Sequence, residues 1–150
     1  MGETETLVEL AKAGDLGKVR AVLEENFLLA SQRLPNGETP LMAALYRGHG
    51  EVVDALIEAG AEIDVFAAAA TGRPEDLRRT LNEATVNAVA YDGWTPLHAA
   101  TAGRHSDAAL LLLERGADAS VVDSGGYTPQ QIAAQNNLDS VTAAMASRRG

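Results

Sequence analysis

Residues 92–98 read DGWTPLH, the most complete copy of a motif that recurs along the chain. Shorter versions stand at residues 37–41, which read GETPL, and at residues 126–129, which read GYTP. In chain order, the threonines of the three versions are 56 and then 33 residues apart, and a pair of alanines follows each version. A motif that returns at a period of about 20–50 residues indicates a chain built from structural repeats.

Each version of the motif carries the residues that start an α-helix. A threonine at the N-cap accepts a hydrogen bond from a backbone N–H that has no partner within the helix. Proline is tolerated at the first helical position, because its missing N–H would be unpaired there. The predicted starts are Thr39-Pro40, Thr95-Pro96 and Thr128-Pro129, and Pro74 is predicted to start a further helix after Gly72-Arg73.

Glycines are predicted to end helices and to form the turns between them. Gly60 and Gly116 follow apolar stripes at helical spacing, so we expect them to end those helices in the left-handed conformation. Gly37, Gly93 and Gly126 are predicted to form tight turns just before the helix starts. Each short alanine-rich helix is therefore followed by a turn and by a second helix.

These motifs resemble the ankyrin repeat, with the best matches at residues 92–98 and at residues 111–118, which read LLLERGAD. The resemblance covers about residues 5–147. It implies an all-α fold, an ankyrin-repeat solenoid of stacked helix–turn–helix units with β-turn fingers, in a single domain of residues 1–150. Stability in such a solenoid comes from each repeat and from its contacts with its neighbours.

The turn between the two helices sets the register of five repeats. Equivalent places in that turn fall to Gly14, Gly48, Gly72, Arg104 and Asn137. The repeats run approximately over residues 5–34, 35–62, 63–86, 87–119 and 120–150. Repeats 1 and 5 depart most from the motif and are interpreted as terminal caps, whereas repeat 3 is shortened and has no residues for the usual inter-repeat turn.

Composition excludes several classes of function. The 150 residues include 46% hydrophobic and 22% charged residues, no cysteine, and a formal net charge of −9. Without cysteine there is no disulfide scaffold, thiolate metal site or cysteine nucleophile. An acidic chain repels phosphate, so no nucleic-acid partner is expected. No apolar run is long enough to span a membrane and no secretory signal opens the sequence, so we expect a cytoplasmic protein. We also expect a monomer, because no large apolar stripe is evident beyond the repeat stack.

No catalytic residue, metal site or cofactor is predicted. The histidines His49, His98 and His105 occupy positions of the repeat motif, and the resemblance implies that His98 ties neighbouring turns together by hydrogen bonds. A zinc site needs three or four converging ligands, which histidines spread over two repeats do not supply. No serine lies in a Gly-x-Ser-x-Gly elbow, and Gly125-Gly126 lacks the downstream residues of a phosphate loop.

The predicted function is non-catalytic protein–protein interaction. The resemblance implies that a partner binds to the turn tips and to the concave face of the first helices. Tryptophan, tyrosine and arginine dominate interface hot spots. The candidate residues on those positions are Tyr46, Arg47, Tyr91, Asp92, Trp94, Asp123, Ser124 and Tyr127. The acidic net charge favours a partner protein with a basic or neutral face.

Other interpretations remain open at this point. Trp94 and Tyr127 can instead pack over the next turn. Phe66 and residues 67–70 are expected to line a notch at the shortened repeat. Either a protruding partner residue or a small molecule fills this notch, or the shortening is only a deletion that the stack of repeats tolerates. The acidic residues Glu51, Asp54, Glu58 and Glu62 are predicted to form a stripe on the second helix of repeat 2, either solvated or facing a basic partner.

Three further classes of protein are considered. The chain can be the regulatory subunit of an enzyme, or a structural module that associates with itself. It can also be an engineered binder, although the irregular repeats 1, 3 and 5 favour a natural protein.

Overall fold

The computed structural model describes residues 2–90 and 92–148, and the described chain is helical with no β-strand. Ten α-helices and one short 3₁₀ helix follow one another in the described residues. The α-helices are α1 (Glu3–Ala13), α2 (Leu16–Glu25), α3 (Pro40–Tyr46), α4 (Gly50–Glu58), α5 (Val65–Thr71), α6 (Pro74–Thr80), α7 (Pro96–Ala102), α8 (Ser106–Glu114), α9 (Pro129–Gln135) and α10 (Asp139–Arg148). The 3₁₀ helix, Phe27–Ser31, follows α2. The all-α prediction is confirmed.

The predicted helix starts are confirmed at all four prolines. Pro40, Pro74, Pro96 and Pro129 each occupy the first turn of a helix. The hydroxyl oxygen of Thr95 accepts a hydrogen bond from the His98 N–H at 3.3 Å, and Thr39 and Thr128 do the same for residues three positions on. In α7 and α9 the side chain at that third position also accepts from the threonine N–H, which completes a capping box.

The backbone has one common feature at the five predicted turn positions, while the bounds of the five repeats stay a prediction. The residue at the predicted place in each helix–helix turn has a positive φ, between 58° and 72°. Three of these residues are glycines, and the others are Arg104 and Asn137. Gly60 and Gly116 have φ of 98° and 96°, so they end α4 and α8 in the predicted left-handed conformation.

The chain forms two compact units, an N-terminal unit of residues 1–63 and a C-terminal unit of residues 64–150. In the N-terminal unit, α1 packs against α3 and α2 packs against α4. In the C-terminal unit, α7 packs between α5 and α9, and α8 packs against α10. First helices therefore form one layer of each unit and second helices the other, with the core between them.

The division between the units falls at the shortened third repeat. Here Asp64 takes the place of the usual threonine, because its carboxylate accepts the Ala67 N–H at 2.9 Å and α5 begins at the next residue. The four alanines of α5, residues 67–70, are buried. Their small side chains let α7 approach the backbone of α5 closely.

Two histidines lie against glycines of the preceding repeat. The ring of His49 is so close to Gly14 that a Cβ on this glycine would lie 2.6 Å from Nδ1 of the ring, and His105 lies against Gly72 in the same way. His49 Nε2 also donates a hydrogen bond to the Lys12 carbonyl oxygen at 3.0 Å. These positions therefore need glycine for two reasons, the left-handed backbone and the space taken by the ring.

Substitution of Gly14 and Gly48 by alanine separates those two reasons. Both glycines have φ of 72°, but nothing lies within 4 Å of a Cβ at Gly48. We expect Gly48→Ala to lower the free energy of unfolding by about 1–2 kcal/mol, the cost of the left-handed backbone. Gly14→Ala should lower it by about 1–3 kcal/mol more, because the histidine ring must move. Urea denaturation followed by circular dichroism measures both, and equal losses would show that the ring contributes nothing.

Candidate functional site

Three turn fingers precede helices α3, α7 and α9. In each finger a backbone N–H bonds to the carbonyl oxygen four residues on, as in the 2.7 Å bond from Ala90 to Trp94 and the 2.9 Å bond from Asp123 to Tyr127. A glycine in left-handed conformation, with φ between 85° and 92°, closes each finger. The predicted β-turn fingers are thus present in repeats 2, 4 and 5.

The carboxylates of the candidate residues Asp92 and Asp123 accept hydrogen bonds from backbone N–H groups of their own fingers. Asp92 Oδ1 accepts the Trp94 N–H at 3.3 Å. Asp123 Oδ1 accepts the N–H groups of Gly125 and Tyr127, each at 2.9 Å. Both carboxylates are half-buried. These bonds fix the tips before any partner arrives, and a role in binding stays a prediction for both residues.

The fingers of repeats 4 and 5 are joined to each other. The N–H of Ser124 donates to the Asp92 carbonyl oxygen at 2.9 Å, and the Ser124 hydroxyl donates to the same oxygen. A Cβ at Gly93 would lie 3.0 Å from the Ser124 nitrogen, so the backbones are in contact. His98 adds a third link, because its Nε2 donates to the Tyr127 carbonyl oxygen at 2.9 Å. The role that the resemblance implies for His98 is confirmed.

This joined pair of fingers exposes aromatic rings. Tyr127 is 47% exposed and Trp94 is half-buried. The candidate Tyr91 lies outside the described residues, so its role stays a prediction. The structure therefore brings together five of the candidate residues, which are Asp92, Trp94, Asp123, Ser124 and Tyr127.

The finger before α3, in the N-terminal unit, has a charged residue where the other two fingers have an aromatic one. The position of Trp94 and Tyr127 is taken by Glu38, which is buried and bonded to Lys12 with 3.3 Å between Nζ and Oε2. Desolvation lowers the pKa of Lys12, but hydrogen bonding and charge attraction from Glu38 and from Glu9 together outweigh it, so the pKa is raised. The candidates Tyr46 and Arg47 lie at the far end of α3 from this finger, half-buried and exposed respectively.

Two exposed valines on the fingers were missed by the sequence reasoning. Val89 is 62% exposed and Val122 is 58% exposed, and each directly precedes the residue whose N–H closes its finger. They lie 33 residues apart, which is one repeat length, and this coincidence was the available signal. We define the finger surface as residues 88–90, 92–94 and 121–127.

The predicted acidic stripe needs one correction. Glu51, Asp54 and Glu58 lie on α4 with exposed side chains, as expected of one helix face. Glu62 is exposed too, but it lies beyond the end of α4 because the left-handed Gly60 has already turned the chain. The stripe on the helix therefore has three members. The notch at Phe66 stays a prediction.

The described parts of the chain contain neither a metal-binding cluster nor a helix that could span a membrane. Residues 2–90 and 92–148 hold no group of three or more histidine, aspartate or glutamate side chains placed to bind a metal ion. Within the same residues, no helix is both long and apolar enough to cross a membrane.

The pKa of Asp118, in the loop before the last finger, is lowered because the hydroxyl and the N–H of Ser120 donate to its carboxylate.

Comparison with protein families gives two matches. The model described as ankyrin repeats, in three copies, matches residues 65–147. The model described as a single ankyrin repeat matches residues 36–69. Together the matches include all three fingers except the first two residues of the finger in repeat 2.

Several curated proteins are similar to the chain. It is 32% identical over 133 residues to a probable 26S proteasome regulatory subunit of Saccharomyces cerevisiae, a match that covers 80% of this chain and 58% of that protein. It is 36% identical over 67 residues to an ankyrin repeat-containing protein of Schizosaccharomyces pombe, with 44% of this chain and 32% of that protein covered. It is 44% identical over 62 residues to a probable E3 ubiquitin-protein ligase of Oryza sativa subsp. japonica, with 41% and 12% covered. The chain thus spans less than two thirds of the length of each of these relatives.

Proposed function

Because the chain belongs to the ankyrin-repeat family, whose repeats generally mediate protein–protein interaction, we propose that it is a non-catalytic module that binds a partner protein through its finger surface. The proposed contact residues there are Asp92, Trp94, Asp123, Ser124 and Tyr127, and Tyr91 is proposed as a further contact from its position in the sequence. Tyr46 and Arg47 are proposed as further contacts of the N-terminal unit. Five of these eight residues are tryptophan, tyrosine or arginine, the types that are most frequent among interface hot spots.

One observation carries the proposal: two neighbouring fingers are bonded to each other and still expose the ring of Tyr127. Its N–H and its carbonyl oxygen are both used inside the protein, by Asp123 and by His98. The backbone of the residue is therefore held while its side chain is 47% exposed. A surface that is ordered before binding loses little conformational entropy on association, which favours tight binding.

The test is affinity capture from a lysate of the source cells, with three versions of the chain as bait. The Trp94→Ala, Tyr127→Ala double variant removes both described rings of the finger surface. Phe27→Ala is the matched control, because this ring is 63% exposed and belongs to the N-terminal unit. The single variant Tyr127→Ala is included because removal of the half-buried Trp94 can itself disturb folding. Circular dichroism shows whether each bait is folded.

We expect the native chain and Phe27→Ala to retain the same partner, and the folded double variant to lose it. Removal of a hot-spot ring weakens binding by about 2 kcal/mol, or about 30-fold in Kd, once the partner is purified. A partner that all folded baits retain equally would keep the binding function and reject the finger surface as its site.

A further inference from the structure

We infer that the partner presents to the finger surface a segment that combines aliphatic side chains with lysine or arginine. This inference rests on the proposed function and adds the chemistry of the partner. It is carried by the exposed apolar side chains of the two joined fingers, by the distribution of charge along the C-terminal unit, and by the position of a carboxylate beside an exposed ring.

The apolar part of the surface repeats from one finger to the next. Val89 and Val122 occupy the same place in repeats 4 and 5, and both are more than half exposed. Single exposed valines are ordinary, but two at one repeat position beside an exposed tyrosine form a row of apolar side chains. Neighbouring helices pack about 8–10 Å apart, so an extended segment spans this row in about three residues.

The charge of the same region has one sign. Residues 80–103 and 116–147 contain no lysine or arginine, and they contain five acidic residues, which are Glu83, Asp92, Asp118, Asp123 and Asp139. The arginines that border these two ranges are Arg79 in α6, Arg104 in the turn after α7, Arg115 at the end of α8 and Arg148 in α10. A cationic partner is attracted to such a surface, and an acidic one is repelled.

The carboxylate of Asp123 lies where it can bind a cationic side chain of the partner. Its Oδ1 accepts the Tyr127 N–H at 2.9 Å, so the carboxylate lies beside the residue that carries the exposed ring. Lysine and arginine are attracted to the faces of tyrosine and tryptophan rings as well as to carboxylates. A guanidinium or ammonium group can therefore meet the ring and the carboxylate together, while aliphatic neighbours cover Val122 and Val89.

A second copy of the chain fits this surface poorly. Each copy carries a formal net charge of −9, and the finger surface is itself acidic. Charge complementarity therefore favours a basic segment of another protein over self-association. Self-association through the fingers is one of the outcomes that the experiment below distinguishes.

The probe is a display library of random peptides of about 12 residues, long enough to cross both fingers in extended form. The immobilised full chain selects from the library, and enriched peptides are synthesised for affinity measurements. We expect them to carry net positive charge with leucine, isoleucine, valine or methionine. Their affinity should fall about tenfold when the salt concentration rises from about 0.05 M to about 0.3 M.

Variants of the chain show where on its surface the selected peptides bind. We expect Val122→Ser and Tyr127→Ala each to weaken peptide binding about tenfold, and Phe27→Ala to leave it unchanged. Acidic or uncharged peptides that still depend on Val122 and Tyr127 would overturn the inference and leave the proposed function standing. Peptides insensitive to both substitutions would count against the inference and the proposed site alike.

Two further outcomes would also overturn the inference. Failure of the library to enrich any sequence over a blank surface would overturn the inference, since basic aliphatic sequences are present in it. Reversible dimerisation of the native chain in sedimentation, abolished by Val122→Ser, would show that a second copy occupies the surface and would overturn it as well.

Discussion

Replacement of Gly103 by alanine should destabilise the protein by about 3 kcal/mol, although local rules favour alanine at this position. Gly103 follows α7 with φ of −76°, a backbone that any residue adopts. A Cβ there would lie well under 3.0 Å from the carbonyl oxygen of Ala70 in the preceding repeat. Backbone atoms of a packed helix do not swing aside as a flexible side chain does, so α7 and α5 must separate.

Glycine-to-alanine substitution is expected to lower the free energy of unfolding at Gly103 and to raise it at a helical glycine with open space around it. Gly17→Ala is the matched control, because it lies in α2 and its nearest neighbour is Asp15 Oδ1 at 3.9 Å. That variant should gain up to about 1 kcal/mol from the better helix propensity of alanine. Urea denaturation measures both, and the fluorescence of Trp94, the single tryptophan, reports on the C-terminal unit. A Gly103→Ala protein as stable as the native one would show that the two helices lie further apart.

His98→Ala is expected to lower the free energy of unfolding by about 3–5 kcal/mol. His98 is fully buried, and its Nδ1 accepts the Thr95 N–H at 3.1 Å. This assigns the ring hydrogen to Nε2, which donates to the Tyr127 carbonyl oxygen. Alanine leaves a cavity, an unpaired N–H at the start of α7, and one bond fewer between the two fingers.

The chain itself supplies the conservative substitution for this test. In α9 the same capping position is held by Gln131, whose Oε1 accepts the Thr128 N–H at 2.9 Å. His98→Gln should therefore keep the capping box, lose the bond to Tyr127, and retain about half of the stability that alanine loses. Urea denaturation of the two variants gives the comparison. Equal losses for glutamine and alanine would show that the capping box contributes no stability here.

Much of the candidate surface was predictable, and the limits of that prediction have physical causes. The aromatic positions Trp94 and Tyr127 follow from the register of the motif alone. The internal bonds of Asp92 and Asp123 do not, because a carboxylate at a turn tip has the same sequence signature whether it faces solvent or its own backbone. Val89 and Val122 were missed because valine in an extended segment is typical of a buried position as well as of an exposed one.

Helix starts and helix ends were accessible from the sequence because they depend on residues three to four positions apart. A threonine, a proline and a left-handed glycine act on the backbone next to them, whatever packs above. The closeness of Gly103 to Ala70, the ring of His49 against Gly14 and the bonds that join the last two fingers were decided by tertiary structure. Each depends on groups about thirty residues apart in the chain, which only the stacking of one repeat on the next brings into contact.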